Sequence, residues 1–361
     1  MAHELASLGC QDIRPGYKGV YVHSASMRDV YAINYRSRLA TRVLLPIAKF
    51  TCHNREGLYQ AARNINWSQY LQLDRTFAID ANVAHPALKN SLFAAMVVKD
   101  AICDQFREKT GSRPDVDIKE PDLQINLFVR DRTGIISIDT SGVPLSKRGY
   151  RQDSGEAPLQ ESLAAALLAI AQYTGQEIVF DPCCGSGTLL IEAALIASRT
   201  APGFLRRDWG FMQLPGFSQS DWLKVKNEAD ALRTQLPAGH LFGCDKDARV
   251  VEACRANLKA AGLQKEIQVA QADFRQFTPN PAPNFIISNP PHGKRLENVA
   301  DLVPLYRALG EFMKTKCAKP ARGFIFTGSL ELAKQCGLAP KKRHVVSNSG
   351  VDSRLLEFDL Y

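Results

Sequence analysis

The sequence predicts two architectures in one chain: an α+β front part, then an α/β part built on a doubly wound, mostly parallel sheet. Three observations carry this. From about Glu156 onward, apolar strands alternate regularly with helices, as a parallel sheet covered on both faces requires. Before that point, helical and strand-like segments are mixed less regularly. And 361 residues are too many for one ordinary core, so two or three domains are expected.

Residues 1–50 read as helix, strand, helix, strand. KGVYVHS and TRVLLPIAKF are the strands, and MRDVYAINYRSRLA is an amphipathic helix. In 51–151, GLYQAARNI and NSLFAAMVVKDAICDQFREKTG have helical spacing. The second carries apolar residues at 93, 96, 97, 101 and 102 and stops at Gly111. TFAIDANV, LQINLFVRD and TGIISIDTS alternate like strands. RQDSGEA, 151–157, is a polar joint. Then EIVFDP, TLLIEAALIAS, HLFGCD, ARVVEACRANLKAAG, IQVAQAD, NFIISNPP, LVPLYRALGEFMKTK and ARGFIFTG follow in alternation. The expected domains are 1–50, 51–151 and 156–361.

Bulk properties exclude several classes. Apolar runs such as Leu163–Ala171 are far shorter than a membrane span. The start, MAHELASLGCQ, has neither the basic nor the apolar region of a signal peptide, so a cytoplasmic address is expected. Nine cysteines, an odd number without a C-x-x-C pair, suggest reduced thiols rather than a disulfide framework or a zinc site, and no metal is expected. The net charge of +8 is compatible with nucleic acid and equally with a solvated basic surface.

VFDPCCGSGTLL places a strand, Asp181, the turn Gly185-Ser186-Gly187-Thr188, then a helix. Glycines between strand and helix let backbone approach a ligand, and the helix start favours anionic groups. A phosphate loop needs a Gly-Lys-Ser/Thr that is absent. A dinucleotide fingerprint needs a third glycine where Leu190 stands, and an acid nearer than Asp245. S-adenosylmethionine fits better. Asp181 can accept from its amine, Asp245 from both ribose hydroxyls and Asp273 from the adenine amine, while the glycine backbone passes beneath. Asp181, Asp245 and Asp247 could each be mere helix caps. Three successive strand ends closing in aspartate, the first beside G-S-G, favour the cofactor, since ligands in such sheets lie outside the carboxyl ends of strands. With their neighbours, the expected cofactor residues are Asp181, Cys183, Gly185, Ser186, Gly187, Thr188, Asp245, Lys246, Asp273, Phe274 and Asn289.

The fourth strand ends in SNPPH. An exocyclic base amine is a poor nucleophile because its lone pair is delocalised into the ring. Two acceptors that hold its N–H groups turn that lone pair toward a methyl donor. Asn289 offers a side-chain carbonyl. Pro290 offers a backbone carbonyl whose direction Pro291 fixes. No general base is required, so rate comes from orientation. Asn289, Pro290, Pro291 and His292 are the expected catalytic set.

DPCCGSGTLLIEAALIASRTAPG, RRDWGF and SNPPHGKRL resemble the catalytic domain of bacterial THUMP-containing class I RNA methyltransferases, most nearly the RlmL type that modifies guanine N2 in 23S ribosomal RNA. INWSQYL, NSLFAAMVVKDAICDQFREKTGSRPDVD and LSKRGYR are similar to the family's THUMP region. The resemblance covers nearly the whole chain. It implies a Rossmann-like methyltransferase domain behind a THUMP region and a short ferredoxin-like part, with structured RNA as partner. The family's ferredoxin-like domain usually begins earlier, so an incomplete or differently built first domain is expected. The family often carries a second methyltransferase half, so one activity is expected here. The family's usual Tyr or Phe after Asn-Pro-Pro is His292.

RNA contacts need cations, and a flipped base needs a planar face. Lys147, Arg148, Tyr150 and Arg151 at the joint, with Arg206 and Arg207 in FLRRDWGF, are the expected RNA-binding residues. Trp209 and Phe211 serve either the base or packing against the sheet. KKRH, 341–344, reads as a solvated turn. The leading reading is an RNA guanine-N2 methyltransferase. A DNA adenine-N6 methyltransferase shares the Asn-Pro-Pro chemistry, and a non-catalytic RNA-binding assembly factor shares the fold.

Overall fold

The computed structural model describes residues 1–24, 26–152, 159–292, 299–348 and 351–361. Most of the joint expected at 151–157, and residues 293–296 of the SNPPHGKRL stretch, lie outside the described residues. The chain divides into two compact units, Met1–Leu145 with Arg206–Asn227, and Ser146–Leu205 with Glu228–Tyr361.

In the first unit, helix α1 (Ala2–Ser7) precedes an antiparallel ribbon of β1 (Gln11–Gly16) and β2 (Gly19–His23), then helix α2 (Met27–Arg36). Strand β1 was not expected. QDIRPG is almost entirely exposed and carries no apolar alternation to reveal it. A four-stranded sheet follows, built from β3 (Leu44–Thr51), helix α3 (Arg55–Arg63), β4 (Phe77–Ala84), helix α4 (Ser91–Thr110), β5 (Leu123–Arg130) and β6 (Thr133–Asp139). The order is β3-β6-β5-β4, with only β4 and β5 parallel. Asn54 and Asn90 cap α3 and α4 by accepting from Gly57 N and Phe93 N. Helix α4 ends at Gly111, φ +74°, a left-handed residue that closes the last turn. Along β5, Leu123, Ile125, Leu127 and Val129 are buried, while Gln124, Asn126, Phe128 and Arg130 face the other way.

The second unit begins with helix α5 (Glu161–Ile170), strand β7 (Val179–Asp181) and helix α6 (Thr188–Ala197). After helix α7 (Gln219–Asp230) come β8 (Leu241–Asp245), α8 (Ala248–Ala261), β9 (Ile267–Gln271), β10 (Phe285–Ser288), α9 (Val299–Thr315), β11 (Ala321–Thr327), α10 (Leu330–Lys334), β12 (Lys342–Asn348) and β13 (Val351–Leu360). They form one seven-stranded sheet in the order β12-β13-β11-β10-β7-β8-β9. All neighbours are parallel except β13, which runs against both β11 and β12. Side-chain alternation shows why both faces need helices. Phe285, Ile287, Phe324 and Phe326 pack with Leu167, Leu190 and Leu258 of α5, α6 and α8. Ile286, Ile325 and Phe180 pack with Tyr306, Leu309 and Phe312 of α9 and with Leu332 of α10. The KKRH stretch is no solvated turn. It opens β12, where Lys341 and His344 pair with Asp359 and Glu357.

The segment between α6 and β8 belongs in part to the first unit. Trp209, Phe211 and Trp222 pack around Tyr31 and Tyr35 of α2. Ring centroids lie 4.6 Å apart for Tyr31–Phe211 and 5.4 Å for Tyr35–Trp222. All five residues are at most 4% exposed. Phe211 N donates to Thr140 O at 2.9 Å. A side chain at Gly210 would meet Asp139 O at 2.5 Å, so only glycine lets the backbones come this close. The two tryptophans and Phe211 thus serve packing, though within the first unit rather than on the parallel sheet.

This cluster makes the first unit dependent on residues far away in sequence. Trp222→Ala empties a buried indole site, a change that typically costs about 3–5 kcal/mol. Its thermal unfolding midpoint is expected to fall well below that of the parent, and an unchanged midpoint would show that α7 is not part of the core.

Candidate active site

Strand order reverses beside β7: β8 lies on one side and β10 on the other. The crevice at the carboxyl ends of β7 and β10 is where such sheets place ligands. Asp181 closes β7 and is 1% exposed. Its Oδ1 accepts from Ser288 Oγ at 2.8 Å and from Cys183 N at 3.1 Å. The first bond ties the ends of β7 and β10 together. Burial raises the Asp181 carboxyl to about 7, helped by the charge of Asp245 and opposed by those two hydrogen bonds.

The loop that follows holds Gly185 at φ +53° and Gly187 at φ +84°. Space beside Gly185 is open: no atom of the described residues beyond its chain neighbours lies within 4 Å of where a Cβ would stand. At Gly187 a Cβ would strike Cys254 Sγ at 2.5 Å. One glycine therefore leaves room on the ligand side, and the other lets α6 start against α8. Asp245, closing β8, holds the loop from the neighbouring strand. Its Oδ2 accepts from Gly185 N and its Oδ1 from Asp247 N, both at 3.1 Å. Asp247 is the cap of α8, as its spacing allowed, accepting from Arg249 N at 2.9 Å. Asp273 follows β9 and is chelated by the Arg275 guanidinium, which holds its pKa below the usual range. An adenine amine would share an acceptor already in use. Lys246 is exposed. Phe274 is 3% exposed and edge-on to Phe312.

At the end of β10, Asn289 is half-buried, and its buried Oδ1 has no hydrogen-bond partner among the described residues. An unpaired buried carbonyl is costly unless a ligand donates to it. Pro290 is buried and Pro291 exposed. His292 Nδ1 lies 3.3 Å from Pro290 O, so the ring stands at the carbonyl expected to hold a substrate amine.

The expected RNA residues separate sharply. Arg148 and Tyr150 are each 1% exposed, and both bond Glu192 of α6, itself 0% exposed, at 3.2–3.4 Å. A buried ion pair inside the fold cannot reach phosphate, so these two assignments are corrected. Arg151 is also engaged. It donates to Glu161 Oε1 (2.8 Å), Leu159 O (2.9 Å), Thr188 Oγ1 (3.0 Å) and Ser186 Oγ (3.3 Å). Arg206 donates to Ser141 O, Val143 O and Pro144 O and lies over Trp209. Lys147 and Arg207 are exposed.

Asn257 of α8 escaped the sequence reading. It is 0% exposed, donates to Ser186 O at 3.0 Å and accepts from Gln152 N at 2.8 Å. Arg151 and Asn257 together clamp the glycine loop. An asparagine inside a helix whose neighbours Leu258 and Ala261 are apolar was the only available signal.

Comparisons with known proteins bear on the fold and the family. A family model described as the RMKL-like methyltransferase domain matches residues 148–355, a THUMP domain model matches 52–139, and an RlmL ferredoxin-like domain model matches 1–44. A Synechocystis protein assigned as an RNA methyltransferase is 35% identical over 361 residues, covering 100% of this chain and 93% of its own. A ribosomal RNA large subunit methyltransferase K/L of Syntrophotalea carbinolica is 36% identical over 100% of this chain, but the chain spans only 52% of that relative. A crystal structure of a protein assigned as a methyltransferase and complexed with SAH superposes with a TM-score of 0.87 at 28% identity, over 99% of this chain and 93% of its own. Fold and site define a Rossmann-like methyltransferase domain behind a THUMP region and a ferredoxin-like part. The chain belongs to the RMKL-like methyltransferase family.

The buried Asp181 gives a testable pH signature. Its folded pKa lies above that of an exposed carboxyl, so the folded chain keeps a proton that the unfolded chain gives up between about pH 4 and 7. Its contribution therefore lowers stability as pH rises through that window, by up to about 1.4 kcal/mol per pH unit. Subtracting the pH–stability curve of Asp181→Asn from that of the parent should isolate this slope. A flat difference would place the carboxyl in a better solvated setting.

Proposed function

We propose that the chain transfers a methyl group from S-adenosylmethionine to the exocyclic N2 amine of a guanine in large-subunit ribosomal RNA. The observation that carries this is the buried Oδ1 of Asn289, which has no hydrogen-bond partner among the described residues, at the end of β10 and next to the strand that bears Asp181. A carbonyl in that state suits an amine N–H donor. The glycine loop fits the cofactor on two counts: the open space beside Gly185 and the aspartates at successive strand ends.

When bound, S-adenosylmethionine supplies an electrophilic methyl group on a cationic sulfur. Asp181 would accept from its ammonium and Asp245 from its ribose hydroxyls. Gly185, Ser186, Gly187 and Thr188 would form the floor beneath it, held by Arg151 and Asn257. Cys183 donates its N–H to Asp181 and so sets that carboxylate. On the substrate side, the Asn289 carbonyl and the second lone pair of Pro290 O would take the two amine hydrogens. Pro291 fixes the direction of that backbone, and His292 offers a planar ring to the extruded base. The amine sheds its proton after transfer, so none of these groups acts as a general base.

The THUMP match and the names of the relatives favour RNA over DNA as the polymer, and ribosomal RNA as its kind. The half-length overlap with the K/L relative bears on one of its portions only. No helix among the described residues is long and apolar enough to cross a membrane. A cytoplasmic location follows from the proposed substrate. Tritium transfer from S-adenosylmethionine to ribosomal RNA, total transfer RNA and DNA separates the readings: label in ribosomal RNA supports this one, and label in DNA alone overturns it.

Two substitutions divide the site. Asp245→Ala removes an acceptor for the ribose and frees the Gly185 amide, and bonds to charged groups contribute roughly 1.5–3 kcal/mol each. Calorimetry should show cofactor binding weakened by at least about tenfold. Unchanged affinity in a folded variant would reject the assignment. Asn289→Ala should bind the cofactor like the parent yet transfer no methyl group, and full turnover would show the base pocket to be elsewhere.

A further inference from the structure

With Arg148 and Tyr150 buried and Arg206 committed to backbone carbonyls, the proposed RNA substrate needs another surface. The first unit carries one. The β1–β2 ribbon turns through Tyr17 and Lys18, with Gly16 opposite Gly19 and Lys18 at φ +53°. Neither residue is one that a two-residue turn demands. Tyr17 is nonetheless 54% exposed and Tyr21 50% exposed, each presenting an aromatic ring to solvent. The Tyr21 ring lies on Gly16, where a Cβ would meet it at 2.4 Å, and Arg14 stands opposite Tyr21 in the ribbon.

The ribbon tip sits against the uncovered face of the four-stranded sheet. The Tyr17 ring centroid is 6.1 Å from that of Phe128, and the Arg130 guanidinium is 3.9 Å from the Tyr17 ring. The register puts Lys49, Ile135, Phe128 and Asn82 in one row across that face and Thr51, Thr133, Arg130 and Ala84 in the next. Helices α3 and α4 cover the opposite face. Four cations, Arg14, Lys18, Lys49 and Arg130, therefore surround exposed aromatic rings. The carboxylates nearby are Asp12, Asp80 and Asp131, the last 4.0 Å from Arg130 Nε.

We propose that this face, the Tyr17–Tyr21 ribbon tip with Phe128 and Arg130, binds unpaired RNA nucleotides by stacking, with the cations on the phosphates. It rests on the RNA reading above and adds where and in what form the polymer is held. Tyr17 and Tyr21 are about half exposed beside these cations, which suits a splayed base and not a duplex, whose bases are already stacked. Cations set between aromatic rings complement a phosphate backbone.

The test uses the full chain with a fluorescent twelve-nucleotide oligouridine and a twelve-base-pair RNA duplex of mixed sequence. The parent should bind the single strand more tightly, with affinity falling as salt rises. Tyr17→Ala/Tyr21→Ala should lose about fivefold or more of single-strand affinity, the loss expected for one stacked base. Tyr17→Leu/Tyr21→Leu, which keeps the apolar cover on Phe128 without the ring faces, should lose as much, and Tyr17→Phe/Tyr21→Phe should bind like the parent. Parent-like binding by the Leu pair overturns the platform while leaving the RNA reading intact. Equal losses for single strand and duplex overturn stacking. If the parent binds S-adenosylmethionine but neither RNA, the RNA reading and the platform fall together.

Discussion

A buried carboxylate governs the methyltransferase unit. Asp181 is sealed at the point where the parallel strands diverge, and Ser288 and the Cys183 amide compensate only part of its desolvation. Because those partners come from β10 and from the start of the glycine loop, the interaction fixes two elements at once. It sets where β10 delivers Asn289, and it sets where the loop toward α6 begins. Asp245 completes the frame from β8 by holding Gly185 N. Strand ends that would otherwise be separate thus share one geometry. Among the described residues, Asn289 Oδ1 has no hydrogen-bond partner and the space beside Gly185 is open.

The loop is braced from behind as firmly as from the sheet. Arg151 reaches Ser186 and Thr188, and Asn257 links Ser186 O to Gln152 N. Arg148 and Tyr150 lock the same stretch of chain onto Glu192 of the following helix. Placing an arginine and a glutamate inside a fold is costly unless their hydrogen bonds are met, and the bonds from Arg148 and Tyr150 to Glu192 meet them in part. Segment 146–152 is therefore better understood as part of the cofactor loop's support than as a linker.

Much of this was legible in the sequence, and the reasons are specific. Asp181, the G-S-G turn, Asp245 and SNPP are short motifs whose backbone demands are local, so spacing alone placed them on strand ends. Helix α4 and its stop at Gly111 were equally plain. The failures share a cause. Arg148 and Tyr150 looked functional by residue type, but their burial depends on a partner, Glu192, that no local pattern announces. The packing of Trp209, Phe211 and Trp222 on Tyr31 and Tyr35 crosses more than 170 positions of chain. Strand β1 lacked alternation because both its faces are exposed, and β12 was concealed by its charges, which pair across β13.

The central claim is that the Asn289 carbonyl orients a guanine amine of ribosomal RNA for methylation. Nucleoside mass spectrometry of ribosomal RNA from a strain lacking this chain tests it most directly. The account predicts loss of one N2-methylguanosine in the large subunit, restored by the parent and not by Asn289→Ala. Ribosomal RNA with an unchanged set of methylated nucleosides, or restoration by Asn289→Ala, would contradict it.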